Sequence, residues 1–466
     1  MHIHHSGGRR LVVAGVLALS LAPLGACERT RRQLLDADTP DIINPSTVTS
    51  PEAADALRVG ALGRVRSTTA GGEGAWLLGT LLTDEWRSAD TFSQRNETDQ
   101  RTVQESNGNV QSMYTALHQV RNSAREAINA LTTYKPTPAW GIGQMWWAIG
   151  YTEMQLAQVF CNGIPLGDAS TGVPVYGNPL TNAEVYAIAA AHMDTALTFL
   201  SATDAATVAI RNTVLVTKAR ILVDLAQFDA AAALVNPLAT TFTNTVVTFS
   251  LTSGDNQIWS LNNSAKRWTV GDSLDFLGRI NNAIPFASAN DPRVKVTGST
   301  LGTSAAGRGF DGATNLVAQL NWGRSDPTNI VSGLDARLIE AEARLRSNDI
   351  AGMMTFLNAL RTTSQNIGVN GGVAVTSGVM PALATPATQS DAVTLFFREK
   401  AFWQFGRGFR LDDLRRQIRQ YSRTQDTLFP TGTAMKSGAY GSDVNFPVTT
   451  NEYLNPAFKG CLDRKA

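Results

Sequence analysis

Two stretches of the chain decide its fold, and they read VTKARILVDLAQFDAAAALVNPL at residues 216–238 and LIEAEARLRSNDIAGMMTFLNAL at residues 338–360. In both, apolar residues recur three and four positions apart on either side of a short polar turn. This spacing predicts two amphipathic helices joined by a turn, because residues three and four apart share one helix face. Ala219 and Ala341 occupy matching positions, where a small side chain lets paired helices approach closely. Each stretch therefore predicts a packed helical hairpin.

A helical hairpin that recurs in one chain is typical of repeat proteins, in which neighbouring hairpins bury each other's apolar faces. Small residues at the helix crossings are typical of tetratricopeptide-like repeats. The offset between the two hairpins is not a multiple of the roughly 34-residue tetratricopeptide period, so two unrelated hairpins remain an alternative. In the repeat interpretation, the segment between them is an insertion.

Helical spacing also extends toward the amino end of the chain. It predicts further helices near residues 51–69, 109–133, 142–161, 181–201 and 208–226, the first of them with Ser50 as its N-cap and Pro51 at its first helical position. The insertion differs, since it is rich in Gly, Asn and Ser, and residues 241–252 alternate like a short strand. Residues 367–388 are rich in Gly, Thr and Ala and are expected to be irregular. We expect a mainly α fold: a tetratricopeptide-like helical-repeat body at about 51–239 and 334–420, with a loop-rich insertion carrying short strands at about 240–333.

The amino terminus has the pattern of an export signal. A basic stretch precedes an apolar run at residues 11–22, and Leu24-Gly25-Ala26-Cys27 follows. These last four residues resemble a bacterial lipobox, in which the cysteine receives a diacylglycerol. We predict a lipoprotein signal peptide at 1–26, lipidation of Cys27 and hence membrane attachment through a lipid anchor; an ordinary cleavage site with an incidental cysteine is the alternative.

Beyond the signal, residues 27–50 are polar and turn-rich and predict a tether. Residues 51–466 are expected to form a single domain. Two cysteines remain there, Cys161 and Cys461, and an even pair in an exported chain indicates either one disulfide or two independent buried thiols.

The composition excludes several functions. The chain has 466 residues, 40 basic and 39 acidic side chains and a charged fraction of only 17%, so it lacks the basic excess of a nucleic-acid binder. A weakly charged surface favours neutral ligands. Without the signal peptide only His118 and His192 remain, and neither belongs to a metal-binding motif. We expect no metal, no cofactor and no nucleic-acid partner.

Paired carboxylates could supply the acid and base of a glycan hydrolase. The pairs are Asp84-Glu85, Glu340/Glu342 and Asp412-Asp413. Neighbouring positions on a helix point in different directions, and residues two apart do not meet. We therefore expect these acids on solvated faces and in ion pairs, with no catalytic residues.

Tryptophans give the positive signal for a binding site. Trp146, Trp147 and Trp403 lie in helical patterns and are expected in the core. Trp86, Trp268 and Trp322 instead neighbour Arg87, Arg267 and Arg324 in loop-like contexts. An indole ring can stack on a sugar while an adjacent guanidinium binds its hydroxyls. The predicted ligand-binding residues are Trp86, Arg87, Trp268, Trp322 and Arg324, and the alternative is that the rings pin loops to the body.

Several motifs together resemble one family. Residues 398–416 read REKAFWQFGRGFRLDDLRR, with FCNGIPL at 160–166, DPR at 291–293, RLIEAEA at 337–343 and NFPV at 445–448. In order and spacing these are similar to the SusD/RagB family of outer-membrane nutrient-binding lipoproteins. Trp403 and Arg407 depart from it, since the family often has an acid at each position. Glu399, Arg410, Asp413 and Arg415 are expected to form a structural charge clamp.

The resemblance implies a function. It predicts a non-enzymatic lipoprotein, anchored in the outer membrane and facing the cell surface, that binds glycans or similar oligomeric nutrients. It also predicts a partner, a TonB-dependent β-barrel transporter that receives the oligosaccharide or other nutrient. Family members with cysteines at the matching sites are consistent with a Cys161–Cys461 bridge. A cell-envelope glycan hydrolase and a repeat scaffold that binds only protein are the alternatives.

Overall fold

The computed structural model describes residues 48–466 except 245–247, 276–277, 298–306, 435 and 437. The predicted signal peptide, Cys27 and the tether up to residue 47 therefore lie outside the described residues. From Ser50 onward the chain forms one compact unit. Its first helix begins as the sequence predicts: the Ser50 side chain accepts a hydrogen bond from the Ala53 amide, and proline occupies the first helical position.

Helices account for most of the regular structure, as predicted. In chain order they are α1 (Pro51–Thr68), α2 (Ala75–Leu81), α3 (Ser93–Asp99), α4 (Gly108–Tyr134), α5 (Trp140–Val159), α6 (Asn182–Thr198), α7 (Ala205–Asp224), α8 (Phe228–Val235), α9 (Gln257–Trp259), α10 (Gly333–Arg346), α11 (Ile350–Arg361), α12 (Gln389–Trp403) and α13 (Arg410–Tyr421). The mainly α prediction is confirmed.

The helices stack side by side in a repeating series. α1 packs on α4, and α4 to α8 then pack each on the next, after which α8 contacts α10 and α10 contacts α11. The predicted hairpins are α7–α8 and α10–α11, and they are neighbours through the contact between α8 and α10. Small residues allow this packing: a Cβ atom on Gly150 of α5 would lie 2.9 Å from the Ala189 carbonyl oxygen of α6.

The strands of the described residues form two-stranded antiparallel sheets. They are β1 (Trp86–Ser88), β2 (Ile164–Pro165), β3 (Pro179–Leu180), β4 (Trp268–Val270), β5 (Leu274–Asp275), β6 (Gly278–Arg279), β7 (Val296–Thr297), β8 (Ala318–Gln319), β9 (Asn366–Asn370) and β10 (Val373–Thr376). β1 pairs with β4, which attaches the insertion to the amino-terminal half.

Two local predictions were wrong. The alternating residues 241–252 form no strand in their described part, where Thr243 and Ser250 make only isolated bridges. Residues 367–388 were expected to be irregular, yet their first part forms the β9–β10 hairpin. Gly371 and Gly372 make its turn with positive φ angles of 63° and 78°, which glycine adopts without steric cost.

A disulfide joins Cys161, just after α5, to Cys461 near the carboxyl end, with 6.0 Å between their Cα atoms. Hydrogen bonds continue the attachment on both sides of it. The Cys161 amide donates to the Phe446 carbonyl, and the Leu462 amide donates to the Asn162 carbonyl. The carboxyl-terminal segment is thus fixed to the helical body by covalent and backbone contacts.

Buried ion pairs join the carboxyl-terminal helices to the body. Lys400 of α12 donates to Asp413 of α13 at 2.7 Å and to Glu342 of α10 at 3.3 Å. Arg410 binds both oxygens of Asp84, at 2.7 and 2.9 Å. The residues of the expected clamp are all buried, but they bind other partners instead of one another; Glu399, for example, binds Arg293.

The prediction that the paired acids lie on solvated faces was wrong, because all six are buried. Their exposed fractions are 7% or less. Asp84, Glu342 and Asp413 are neutralised by the ion pairs above, and Glu340 pairs with Arg337. A buried carboxylate needs such partners because its desolvation is costly.

Candidate functional site

The three tryptophans predicted to bind ligand lie inside the protein. Trp86, Trp268 and Trp322 are 2%, 1% and 2% exposed. Trp86 contacts Trp268 edge to face, with 6.3 Å between ring centroids, and lies 5.2 Å from the ring of Phe405. A ring with no open face cannot stack on a sugar, so the ligand-binding role predicted for these three rings is corrected. Their contacts support the alternative, in which they pin loops to the body.

The arginines beside these rings divide into two groups. Arg87 is also buried, and its Nε donates to Asp99 at 3.1 Å. The ligand-binding role predicted for Arg87 is therefore corrected as well. Arg324 remains accessible, with 53% of its side chain exposed, and donates to Asp255. Its guanidinium lies 5.8 Å from the ring centroid of Trp259, not beside Trp322.

Strand geometry explains why Trp268 and Arg267, although adjacent in the sequence, do not form one binding site. Successive residues of a strand point to opposite faces. Trp268 opens β4 and is 1% exposed, whereas Arg267, one residue earlier, keeps 21% of its side chain exposed. The aromatic partners of Arg267 therefore come from elsewhere in the chain.

Those partners are Phe92 and Phe310, which create an exposed aromatic surface. Phe92 is 50% exposed and Phe310 is 51% exposed. The Arg267 guanidinium carbon lies 4.7 Å from the centroid of Phe92 and 3.9 Å from that of Phe310. We call this the Phe92–Arg267–Phe310 surface. Exposure of large aromatic rings around a partly buried cation is costly in water and marks a candidate binding surface.

Backbone hydrogen bonds fix the three segments that carry this surface. The Ala89 amide donates to the Arg267 carbonyl at 2.8 Å, and the Phe310 amide donates to the Lys266 carbonyl at 2.8 Å. Gly309 is needed at this junction, since a Cβ atom there would lie 2.5 Å from the Cβ of Ala89. The surface is therefore built on β1 and β4, and its geometry is held by their pairing.

Two acids order the charged groups of the surface. Asp90 is fully buried and accepts a hydrogen bond from Arg267 at 2.8 Å and another from Arg95. Burial alone would raise the pKa of Asp90, but the two arginines lower it below its usual value. Burial likewise opposes ionisation of Asp311, yet hydrogen bonds from Lys436 and Thr314 lower its pKa to about 2. Both acids are ionised at neutral pH.

The arrangement suits a saccharide. The flat phenyl rings can contact the C–H face of a sugar ring, and the partly exposed Arg267 between them can donate to its hydroxyls. Lys266, next to Arg267 in the chain, is exposed. Asp90 and Asp311 are already engaged by arginine and lysine, so this surface can bind by ring contact and hydrogen bonding.

Other chemistry finds little support in the described residues. The six paired acids are 7% exposed or less, and His192 is held by Glu153 at 2.6 Å. Glu340 lines a cavity of about 450 Å³, but it is already paired with Arg337. His118 lies beside Arg121, and burial lowers its pKa well below the usual value. Within the described ranges no three His, Cys, Asp or Glu side chains are grouped as metal ligands. None of the described helices combines the length and the hydropathy that a membrane span requires.

Sequence reasoning missed Phe92 and Phe310. Phe92 precedes α3 in a Thr-Phe-Ser context, and Phe310 lies in Gly-Phe-Asp-Gly. A large aromatic residue within a short turn is rarely required for the core, and this signal could have identified both. The search for tryptophan beside arginine instead selected rings that lie in the core.

Comparison with solved structures identifies the fold. The chain aligns with a surface glycan-binding protein A from Bacteroides uniformis at a TM-score of 0.63 and 13% identity, covering 88% of this chain and 99% of that one. A SusD-like protein from Bacteroides fragilis aligns at 0.62 and 12% identity, covering 92% and 100%. A SusD-like carbohydrate binding protein from Bacteroides vulgatus aligns at 0.56 and 13% identity, covering 88% and 97%.

By sequence, no family model matches the chain, and no curated protein matches it. The structural alignments nevertheless cover nearly the whole of each neighbour at identities where only the fold is informative. They show the fold that the motifs at residues 160–166, 398–416 and 445–448 imply. The resemblance predicted from the sequence is confirmed at the level of the fold: the chain has the SusD-like fold.

Proposed function

We propose that this protein binds glycans at the Phe92–Arg267–Phe310 surface without cleaving them. The observation that carries the proposal is the pair of half-exposed phenyl rings held on either side of one guanidinium. Structural neighbours described as glycan-binding and carbohydrate binding proteins support the same ligand class. The burial of all six paired acids favours binding over hydrolysis.

The proposal extends to location and partner. The lipobox at residues 24–27 supports lipidation of Cys27 and attachment to the outer membrane, facing the cell surface. In the role that the sequence motifs imply, the protein passes its oligosaccharide to a TonB-dependent β-barrel transporter. A Cys27→Ser variant should lose incorporation of labelled fatty acid and leave the membrane fraction. Retention of label and of membrane attachment would contradict the anchor.

The ligand class is tested by affinity electrophoresis of the purified protein on a panel of neutral polysaccharides. We expect one or more polysaccharides to retard wild type, and Phe92→Ala to lose most of that retardation. Tyr453→Ala is the matched control, because Tyr453 is also 50% exposed but lies on the carboxyl-terminal segment. It should bind as wild type does.

Two outcomes would contradict the proposal. Equal loss of binding in Phe92→Ala and Tyr453→Ala would show that the Phe92–Arg267–Phe310 surface is not specifically involved. Release of reducing sugar from a retained polysaccharide, abolished by substitution of a paired acid such as Glu85, would indicate a hydrolase instead. Co-purification with the transporter after detergent extraction tests the partner separately.

A further inference from the structure

A cavity lies between α12, α13 and the segments near residues 282–284 and 423–428. None of its lining residues belongs to the Phe92–Arg267–Phe310 surface. Its volume is about 220 Å³. Three arginines line it: Arg398 from α12, Arg410 from α13 and Arg423 just beyond α13. Three guanidinium groups around one small cavity are unusual, because like charges repel unless anions neutralise them.

Only one of these arginines has a carboxylate partner among the described residues. Arg410 is neutralised by its two hydrogen bonds to Asp84. Arg423 donates to the Ser390 carbonyl at 2.8 Å and to the Thr394 hydroxyl at 3.2 Å, which are both uncharged. Arg398 lies over the ring of Phe402, with 5.2 Å to the centroid. Within the ranges that the structure describes, neither Arg398 nor Arg423 makes an ion pair, so two positive charges border the cavity.

The rest of the lining is suited to a sugar. Ile284, Phe397, Leu414 and Leu428 provide apolar walls, and Gln417 adds a polar side chain that can both donate and accept. Apolar walls with a few placed polar groups are the general pattern of small-molecule sites. The volume is smaller than the roughly 300–1,000 Å³ of drug-sized sites, which limits the ligand to about one sugar unit.

We propose that this cavity binds one anionic sugar unit of a glycan, with Arg398 and Arg423 holding its carboxylate or sulfate group. Guanidinium forks match the geometry of such oxyanions and bind them through charge-assisted hydrogen bonds. This site is separate from the Phe92–Arg267–Phe310 surface and does not depend on the function proposed for that surface. It would add recognition of charged sugars to a protein whose weakly charged composition favours neutral ligands.

The test is calorimetric titration of the purified protein with three probes: glucuronate, glucose 6-sulfate and glucose. We expect saturable binding of at least one anionic probe and none of glucose. Arg398→Gln and Arg423→Gln should each weaken that binding about tenfold, which corresponds to about 1.4 kcal/mol, because each variant loses a charge-assisted hydrogen bond. Binding should also weaken as salt is raised from about 0.05 to 0.5 M.

Arg344→Gln is the control. Arg344 is an exposed arginine that pairs with Asp349 at 3.7 Å and does not line this cavity. It should bind the anionic probe as wild type does. Circular dichroism should show that the two cavity variants fold as wild type does. Their retardation by neutral polysaccharide should be unchanged, which separates this site from the aromatic surface. Absence of saturable binding by both anionic probes, equal binding of glucose, or unchanged binding in both cavity variants would overturn the proposal.

Discussion

The buried tryptophans of β1 and β4, the inner side, differ from the Phe92–Arg267–Phe310 surface, the outer side, in how far their rings are exposed. Trp86 and Trp268 are 2% and 1% exposed, whereas Phe92 and Phe310, which both contact Arg267, are 50% and 51% exposed. The inner rings hold the insertion against the carboxyl-terminal helices, and the outer rings leave half of their area open. The comparison teaches that a ring's burial, more than its size, separates a structural role from a binding role.

The largest expected effect comes from the inner side. Trp268→Ala should destabilise the protein by about 3–5 kcal/mol, because it removes a fully buried indole and leaves a cavity between β4 and Trp86. Urea unfolding followed by circular dichroism measures it. Trp259→Ala, at a partly exposed ring, should cost clearly less. Similar losses at both positions would break the distinction between inner and outer aromatic residues.

A somewhat smaller loss is expected where the inner side is joined to α13. Arg410→Ala leaves Asp84 buried beside β1 without its two hydrogen bonds. Because Asp84 keeps a hydrogen bond from the Ile284 amide, the cost should be near the lower end of the roughly 3–5 kcal/mol for breaking a buried ion pair. Arg344→Ala removes an exposed pair and should change the unfolding free energy by less than about 1 kcal/mol. The same urea experiment compares the two, and equal effects would count against a structural role for the buried pair.

Glu85, next to Trp86, should make stability depend on pH. Burial raises its pKa from the ordinary value of 4.5 to about 8, although a hydrogen bond from the Gly406 amide acts in the opposite direction. Between these values the folded protein holds a proton that the unfolded chain has released, so the contribution of Glu85 to stability is lost as pH rises from about 4.5 to 8. Glu85→Gln removes this dependence.

Unfolding free energies of Glu85→Gln and wild type should therefore diverge with pH. Relative to their difference near pH 4.5, the variant should gain up to about 4 kcal/mol by pH 8.5, since each unit of the pKa shift from 4.5 to about 8 corresponds to about 1.4 kcal/mol. Taking the difference between the two proteins cancels the other buried acids. Parallel pH profiles would show that Glu85 is ionised in the folded protein.

The smallest effect on stability belongs to the outer side. Phe310→Ala removes a ring that is already 51% exposed and should change the unfolding free energy by about 0.5 kcal/mol or less. Its effect on glycan binding should be about tenfold, as expected for one aromatic contact. A loss of stability similar to that of Trp268→Ala would show that Phe310 has a structural role. Phe92 would then be the aromatic residue left for the proposed binding site.

The helical body could be predicted from the sequence because its signal is local. Apolar spacing alone predicted α4 to α8, α10 and α11, with Ser50 and Pro51 at the start of α1. The short helices α2 and α3 were not predicted, since seven residues carry too little periodicity. The β9–β10 hairpin was missed because Gly371-Gly372 was interpreted as part of an irregular stretch.

The binding surface and the buried charges could not be predicted, because both depend on contacts between distant segments. Arg267 and Phe310 are 43 positions apart and Phe92 lies much earlier in the chain, so only the fold brings them together. In the same way, Asp84 was expected on a solvated face, but it is buried and binds Arg410 from a distant part of the chain. Single sequences report faces of helices and strands well, but they do not report which charged side chains meet in the interior.

The Cys161–Cys461 disulfide has a consequence for how the protein is made. Its two cysteines are separated by 300 residues, so the covalent ring closes only after nearly all of the ordered body has left the ribosome. Disulfides form in oxidising compartments, and the α1–α6 stack must therefore keep Cys161 available until the last segment arrives. Closure of this disulfide and completion of the fold are thereby coupled in time, with the carboxyl-terminal segment as the final part to be secured.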